Sequence, residues 1–267
     1  MAYAYWQDQK HNDQVVFELF FRKNPFKGEF TIFAGLEDCL LFLENFRYTV
    51  DDIKCVKEEM PDADPRFFLY LSELTAKDIV IHAVPEGTVV FPQVPLLRVK
   101  GPLGVCQLLE TTLLNLINFA SLMATNAARY RMAAGTTELL EFGLRRAQGP
   151  NGGLTASKFA YVGGFDATSN FEARKLYGIL VKGTHAHSFV MKYSSIEKLR
   201  KRTLVQKGTH QEKNFVQICV NYREQLASLF NVNLTQANEG EFASFLRFAM
   251  SFPNSFLALV DTYDVLR

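Results

Sequence analysis

The chain has 267 residues, 48% of them hydrophobic and 21% charged, with a formal net charge of +1. That length and balance suit a folded protein with one large core or two modest ones. A charge so close to zero gives no global field toward nucleic acid or an anionic membrane, so neither is expected as a partner.

From the N-terminus, 15–21 is rich in strand formers, the turn signals Asn24-Pro25 and Lys27-Gly28 follow, and 30–33 reads as a return strand. Residues 36–46 carry apolar side chains at helical spacing, and two further short helices are expected over 50–59 and 65–75. Strands are expected over 79–84, 88–91 and 96–99, punctuated by Pro85-Glu-Gly87, Pro92 and Pro95. Gly101-Pro102 closes this part, which defines a mixed α+β domain over 1–102 and a second domain over 103–267.

The period then changes. Residues 105–134 read as one long helix with a stripe of small residues at Ala120, Ala124, Ala127 and Ala128. Its apolar stretch is interrupted by Glu110, Asn115, Asn118 and Asn126, so a membrane span is not expected. Short strands at 140–144, 162–165, 179–182 and 256–260 then alternate with helices at 154–161, 170–177, about 211–229 and 240–250. Repeated β–α units argue for parallel strands with right-handed crossovers. The fold class is therefore α/β: an α+β N-terminal domain followed by an incomplete parallel β/α barrel. A further helix is due at 264–267, where the sequence stops, and Tyr3, Tyr5 and Trp6 read as the tail of an element already under way, so truncation at both ends is expected.

The expected strand ends carry the chemistry: Arg145-Arg146, Asp166 with Thr168-Ser169-Asn170, Thr184-His185-Ala186-His187, and Asp261-Thr262-Tyr263. In a parallel barrel such ends converge on one face. An arginine fork suits a carboxylate or phosphate, and on a strand only one of Arg145 and Arg146 can face a ligand; a surface pair tied to carboxylates is the plainer alternative. Asp166 follows Gly163-Gly164-Phe165 and can accept hydrogen bonds from ribose hydroxyls or a protonated ring nitrogen, or can cap the next helix. His187 lies between Ala186 and Ser188, small neighbours that keep an imidazole open for proton transfer or nucleophilic attack. The alternative is a buried histidine. The basic stretch 192–213 reads as a solvated excursion. Cys39, Cys55, Cys106 and Cys219 have no metal spacing and read as free thiols of a reducing compartment. With no secretory signature at Met1–Trp6, a cytosolic setting is expected. The acceptor pattern Asn233-Leu-Thr235 is then read as chance.

Several of these motifs together resemble the nicotinate phosphoribosyltransferases, in their animal form: Phe91-Pro92 with Pro95-Leu-Leu97, Thr125-Asn-Ala-Ala-Arg129, Phe142-Gly-Leu-Arg-Arg146, Gly163-Gly-Phe-Asp166, Gly183-Thr184 with Ala186-His187-Ser188, and Ala258-Leu-Val-Asp-Thr-Tyr263. The resemblance implies an enzyme that joins nicotinate to 5-phosphoribosyl 1-diphosphate, giving nicotinate mononucleotide and diphosphate, with coupled ATP hydrolysis and magnesium. It implies that His187 is phosphorylated by ATP, that Thr184 contacts the nicotinate ligand, and that Arg145, with Arg146 adjacent, and Asp166 lie near substrate. No protein metal ligands are assigned, so magnesium is carried mainly by the substrates. It also implies a homodimer whose subunits cap one another's barrels. The family's Thr-Asp-Leu-Tyr-Gln segment would precede Met1, and its later barrel strands and phosphate-binding loops would follow Arg267. A truncated, non-catalytic chain that at most pairs with full-length subunits is the competing reading. An unrelated α/β-barrel hydrolase or aldolase is the third.

Overall fold

The computed structural model describes residues 1–265. The helix anticipated at 264–267 falls in part on Leu266 and Arg267, outside the described residues. The chain divides into two compact units, one running from Met1 to Val181 and the other starting at Lys182. The boundary expected at 102 falls inside the first unit, at the junction of a strand with the long helix.

The first unit opens with α1 (Ala2–Gln7), which starts within the chain at Ala2, and its Tyr3 and Trp6 rings pack on Phe67. Strand β1 (Gln14–Leu19) follows, then β2 (Thr31–Ile32), α2 (Leu36–Glu44), α3 (Val50–Glu59) and α4 (Pro65–Glu73). Thr49 starts α3 with a capping box closed by Asp52, and Asp64 caps α4 ahead of Pro65. Three strands complete this part: β3 (Val80–Ala83), β4 (Val89–Val90) and β5 (Leu97–Pro102). In β5, Leu97 and Val99 face the core while Arg98 and Lys100 face out, the period-2 pattern of a half-buried strand.

The return-strand expectation fails. β1 does not pair with β2; it lies antiparallel to β5, with Glu18 opposite Arg98 and an ion pair of 2.8 Å between them, and β5 also pairs with β3. β2 pairs with β4 instead. The free edge of β2 is satisfied by a helix: the Ile32 and Ala34 amides donate to Thr125 Oγ1 (2.8 Å) and Ser121 Oγ (2.9 Å). That edge needs close approach. Gly35 has φ +99°, and a Cβ there would sit 2.7 Å from the Leu116 carbonyl oxygen.

The helix is α5 (Leu103–Ala134), as anticipated. By length and hydropathy alone it meets the measure of a membrane-spanning helix despite its asparagines and Glu110. In the fold it is a central packing element, touching α1, α2, β2, β5 and α6 (Gly149–Val162). Ala120, Ala124 and Phe159 are fully buried where α5 meets α6. Gly163, just past α6, comes so close that a Cβ would overlap the Ala124 carbonyl oxygen and lie 2.5 Å from Ala127 Cβ. Lys158 of α6 is only 12% exposed and reaches Glu37 (2.7 Å) and Asp38 (2.8 Å) on α2. Burial opposes its charge, but the hydrogen bonds to Asp38 and Glu37 outweigh that and raise its pKa.

After α5 the expected β–α alternation is present in abbreviated form. β6 (Leu140–Glu141) runs parallel to β7 (Ala167–Thr168), and Thr168 bridges in parallel to Val181, with α6 and α7 (Phe171–Tyr177) as the intervening helices. Two boundaries differ from expectation. The strand read at 140–144 ends at Glu141, because Gly143 turns the chain into a 3₁₀ turn at Leu144–Arg146. The strand read at 162–165 is the end of α6: the Gly163, Gly164 and Phe165 amides bond back to Phe159, Tyr161 and Ala160. Ile179–Lys182 contributes only the single bridge at Val181.

The second unit contains α8 (His187–Met191), an antiparallel hairpin of β8 (Thr203–Val205) and β9 (Glu212–Asn214), α9 (Phe215–Phe230) and α10 (Glu239–Ser251). The helix expected to start at 211 begins at 215, because 212–214 form the hairpin. Most of the basic 192–213 stretch is exposed. Residues 256–260 form no ladder among the described residues, so the strand expected there is absent.

Candidate functional site

In the first unit, Arg145 and Arg146 sit side by side and exposed on the 3₁₀ turn. They are not on a strand, so the argument that alternation separates them does not apply. They do differ in outlook: Arg146 lines a cavity of about 320 Å³ between α5 and α6, together with Met123, Tyr130, Glu141 and Phe165. Tyr130 and Phe165 meet edge to face there, with centroids 6.0 Å apart.

Asp166 is placed differently from the expectation. It precedes β7 rather than ending a strand, and its carboxylate takes the Leu139 amide (2.7 Å) and the Arg131 guanidinium. In the parallel ladder Leu140 pairs with Ala167, so Asp166 lies at the N-terminal end while the arginine turn follows the C-terminal end. The two are not gathered at one rim. The cap of α7 is Asn170, whose side chain accepts from the Glu172 amide.

A residue the motif reading passed over organises the other end. Glu141, last in β6, accepts from the Ser157 hydroxyl (2.8 Å), the Thr168 hydroxyl (2.7 Å) and the Gly143 amide. Ser157, Thr168 and Asn170 are buried. The available signal was a carboxylate directly before Phe142-Gly143 at a strand end.

The second unit brings two of the expected segments together. Thr184 donates to the Leu257 carbonyl at 2.6 Å. His187, the first residue of α8 and half-exposed, has Nδ1 3.1 Å from Thr262 Oγ1 and 3.9 Å from an Asp261 carboxylate oxygen. A carboxylate and a hydroxyl facing one ring nitrogen favour the proton there, which leaves Nε2 with the lone pair. His185 is the contrasting neighbour: it is buried among Phe189, Phe245 and Phe248. That burial, with some repulsion from His187, holds its pKa below the usual histidine range.

Comparison with known proteins agrees with these motifs. Residues 1–118 match the family model of the nicotinate phosphoribosyltransferase N-terminal domain. The chain is 56% identical over its whole length to nicotinate phosphoribosyltransferase of Caenorhabditis elegans, covering 48% of that protein, and 52% identical to nicotinate phosphoribosyltransferase 1 of Arabidopsis thaliana, again covering 48%. By sequence, this chain is related to the nicotinate phosphoribosyltransferases. The crystal structure of human nicotinic acid phosphoribosyltransferase superposes on all of it with a TM-score of 0.87 at 45% identity, the match covering 54% of that chain. The chain thus spans about half the length of the nicotinate phosphoribosyltransferases it matches. The N-terminal-domain match runs through β5 and into α5, so the mixed α+β part and the start of the long helix fall within it.

Proposed function

We propose that this chain carries the phosphorylatable histidine and part of the substrate pocket of a nicotinate phosphoribosyltransferase. The reaction joins nicotinate and 5-phosphoribosyl 1-diphosphate and is coupled to ATP hydrolysis. The observation that carries this reading is the His187 arrangement, with Nδ1 turned to Thr262 and Asp261 at the start of α8. A neutral imidazole so oriented is a nucleophile at Nε2: it takes the γ-phosphoryl group, and ADP leaves. Asp261 then faces the Nδ1 side of the phosphorylated ring, away from the phosphoryl group on Nε2. A ring that keeps its Nδ1 proton is a good leaving group when water attacks phosphorus, which links ATP turnover to the state of the site. In the reading, Thr184 lies at the nicotinate ligand and Arg145, with Arg146, supplies a guanidinium for an anionic group. Nicotinate is an anion, so such a group favours it over its amide. For Asp166 the fold favours a supporting role, since its carboxylate ties Arg131 to the start of β6.

Magnesium belongs to the same proposal. Among the described residues no group of three or more His, Cys, Asp or Glu converges, and one or two carboxylates with substrate phosphates are enough for magnesium, so in this reading the ion is carried mainly by the substrates. A homodimer, a cytosolic setting and a division at residue 102 complete the proposal; Cys39, Cys55, Cys106 and Cys219 all have free thiols, in keeping with a reducing compartment.

The test is labelling with γ-³²P-ATP and magnesium. Acid-labile label that disappears in His187→Ala supports the reading; label that survives the substitution, or no label on the native chain, overturns it. The competing reading, a non-catalytic chain that pairs with full-length subunits, is favoured only by the half-length match. It predicts no label and a complex on size exclusion with a full-length relative.

A further inference from the structure

We infer that Glu141 is a positioning residue for the Arg145–Arg146 turn. The inference rests on the reading that this turn meets an anionic substrate. Glu141 ends β6, and its carboxylate gathers three donors from three places: the Gly143 amide in the turn, the Ser157 hydroxyl on α6 and the Thr168 hydroxyl on β7. Gly143 is the hinge of the arrangement, because its carbonyl accepts the Arg146 amide at 2.8 Å and so closes the turn. The chain of bonds runs from Glu141 through Gly143 to Arg146.

The anchors behind it are firm. Thr168 and Ser157 are each only 1% exposed. Thr168 Oγ1 also accepts the Asn170 amide (3.0 Å), and Asn170 Nδ2 donates to Ser157 Oγ (3.2 Å). A carboxylate held on one side by buried hydroxyls transmits their rigidity to whatever it holds on the other. Here that is the one turn in the unit that presents adjacent arginines. Placing a guanidinium fork accurately on a planar carboxylate needs such support, since binding falls steeply with misorientation.

The experiment uses hydrogen–deuterium exchange over 142–148 and the affinity for nicotinate, measured calorimetrically on the native chain, Glu141→Ala and Glu141→Gln. Glutamine keeps an acceptor for Gly143, and its amide can donate to the hydroxyls in place of receiving from them. The expected result is that alanine speeds exchange of the turn and weakens nicotinate about tenfold each, the factor for one lost hydrogen bond, while glutamine restores both. The inference is overturned if exchange over 142–148 is unchanged in Glu141→Ala or if glutamine is no better than alanine. It is equally overturned if both variants lower the melting temperature and leave affinity untouched, the signature of a purely structural role. If the native chain binds no nicotinate but the exchange pattern appears, the substrate reading falls and the positioning role stands.

Discussion

Replacing Thr125 by valine tests how the long helix is joined to the N-terminal strands. Thr125 is fully buried, and its hydroxyl donates to the Ser121 carbonyl at 2.6 Å while accepting the Ile32 amide at 2.8 Å. Valine keeps the volume but leaves that amide, in a buried residue, without an acceptor. An orphaned buried donor costs about 1–3 kcal/mol. The Ser121 carbonyl loses little, because it keeps its helical partner. Taking about 2 kcal/mol and about 2–4 °C per kcal/mol for a unit of this size, the melting temperature should fall by about 4–8 °C. Calorimetry reads the shift, and hydrogen exchange at Ile32 locates it. A shift below about 1 °C, with Ile32 still protected, would refute the claim that α5 side chains complete the edge of β2.

Other outcomes follow from the same geometry. Gly163→Ala overpacks the α5–α6 contact and should cost about 1–3 kcal/mol, whereas Gly152→Ala, with only Gln148 Cβ at 3.6 Å, should be neutral or stabilising; equal melting temperatures would contradict this. His185 protonates more readily in the unfolded chain than in its phenylalanine cage, so stability present at neutral pH is lost as pH falls through about 6.5 and below; His185→Leu should flatten that slope between pH 8 and 5. Cys55 is exposed and should react promptly with a thiol reagent at pH 8, while Cys39, buried and pushed up to about 12, reacts only on unfolding; early loss of the Cys39 thiol would contradict its burial. Asp261→Asn and Thr262→Val should each slow His187 labelling about tenfold, and unchanged rates would remove their orienting role.

Much of the architecture is legible in the residues because it rests on long periods. The 103–134 helix, α2 to α4 and the alternating β5 declare themselves through apolar spacing and caps such as Thr49 and Asp64. Partners do not. β1 and β2 are separated by a convincing turn sequence, yet β1 finds a six-residue register on β5, and nothing local announces that. The parallel strands β6 and β7 have two residues each, too few to express a period. The apolar Val162 and Phe165 therefore imitate a strand, and Asp166 is displaced to the wrong end of β7. In the candidate site, the Thr184 and His187 segment and its meeting with 261–262 could be anticipated from residue type. Glu141 is legible only in its place before Phe142-Gly143, because two of its three donors, the Ser157 and Thr168 hydroxyls, come from distant parts of the chain.

The site of phosphate attachment is the most direct test of the functional account. Protein treated with ATP and magnesium should yield, on digestion and ³¹P NMR, phosphohistidine at residue 187 with phosphorus on Nε2, the nitrogen turned away from Thr262 and Asp261. Phosphate on Nδ1, or on another residue, would contradict it.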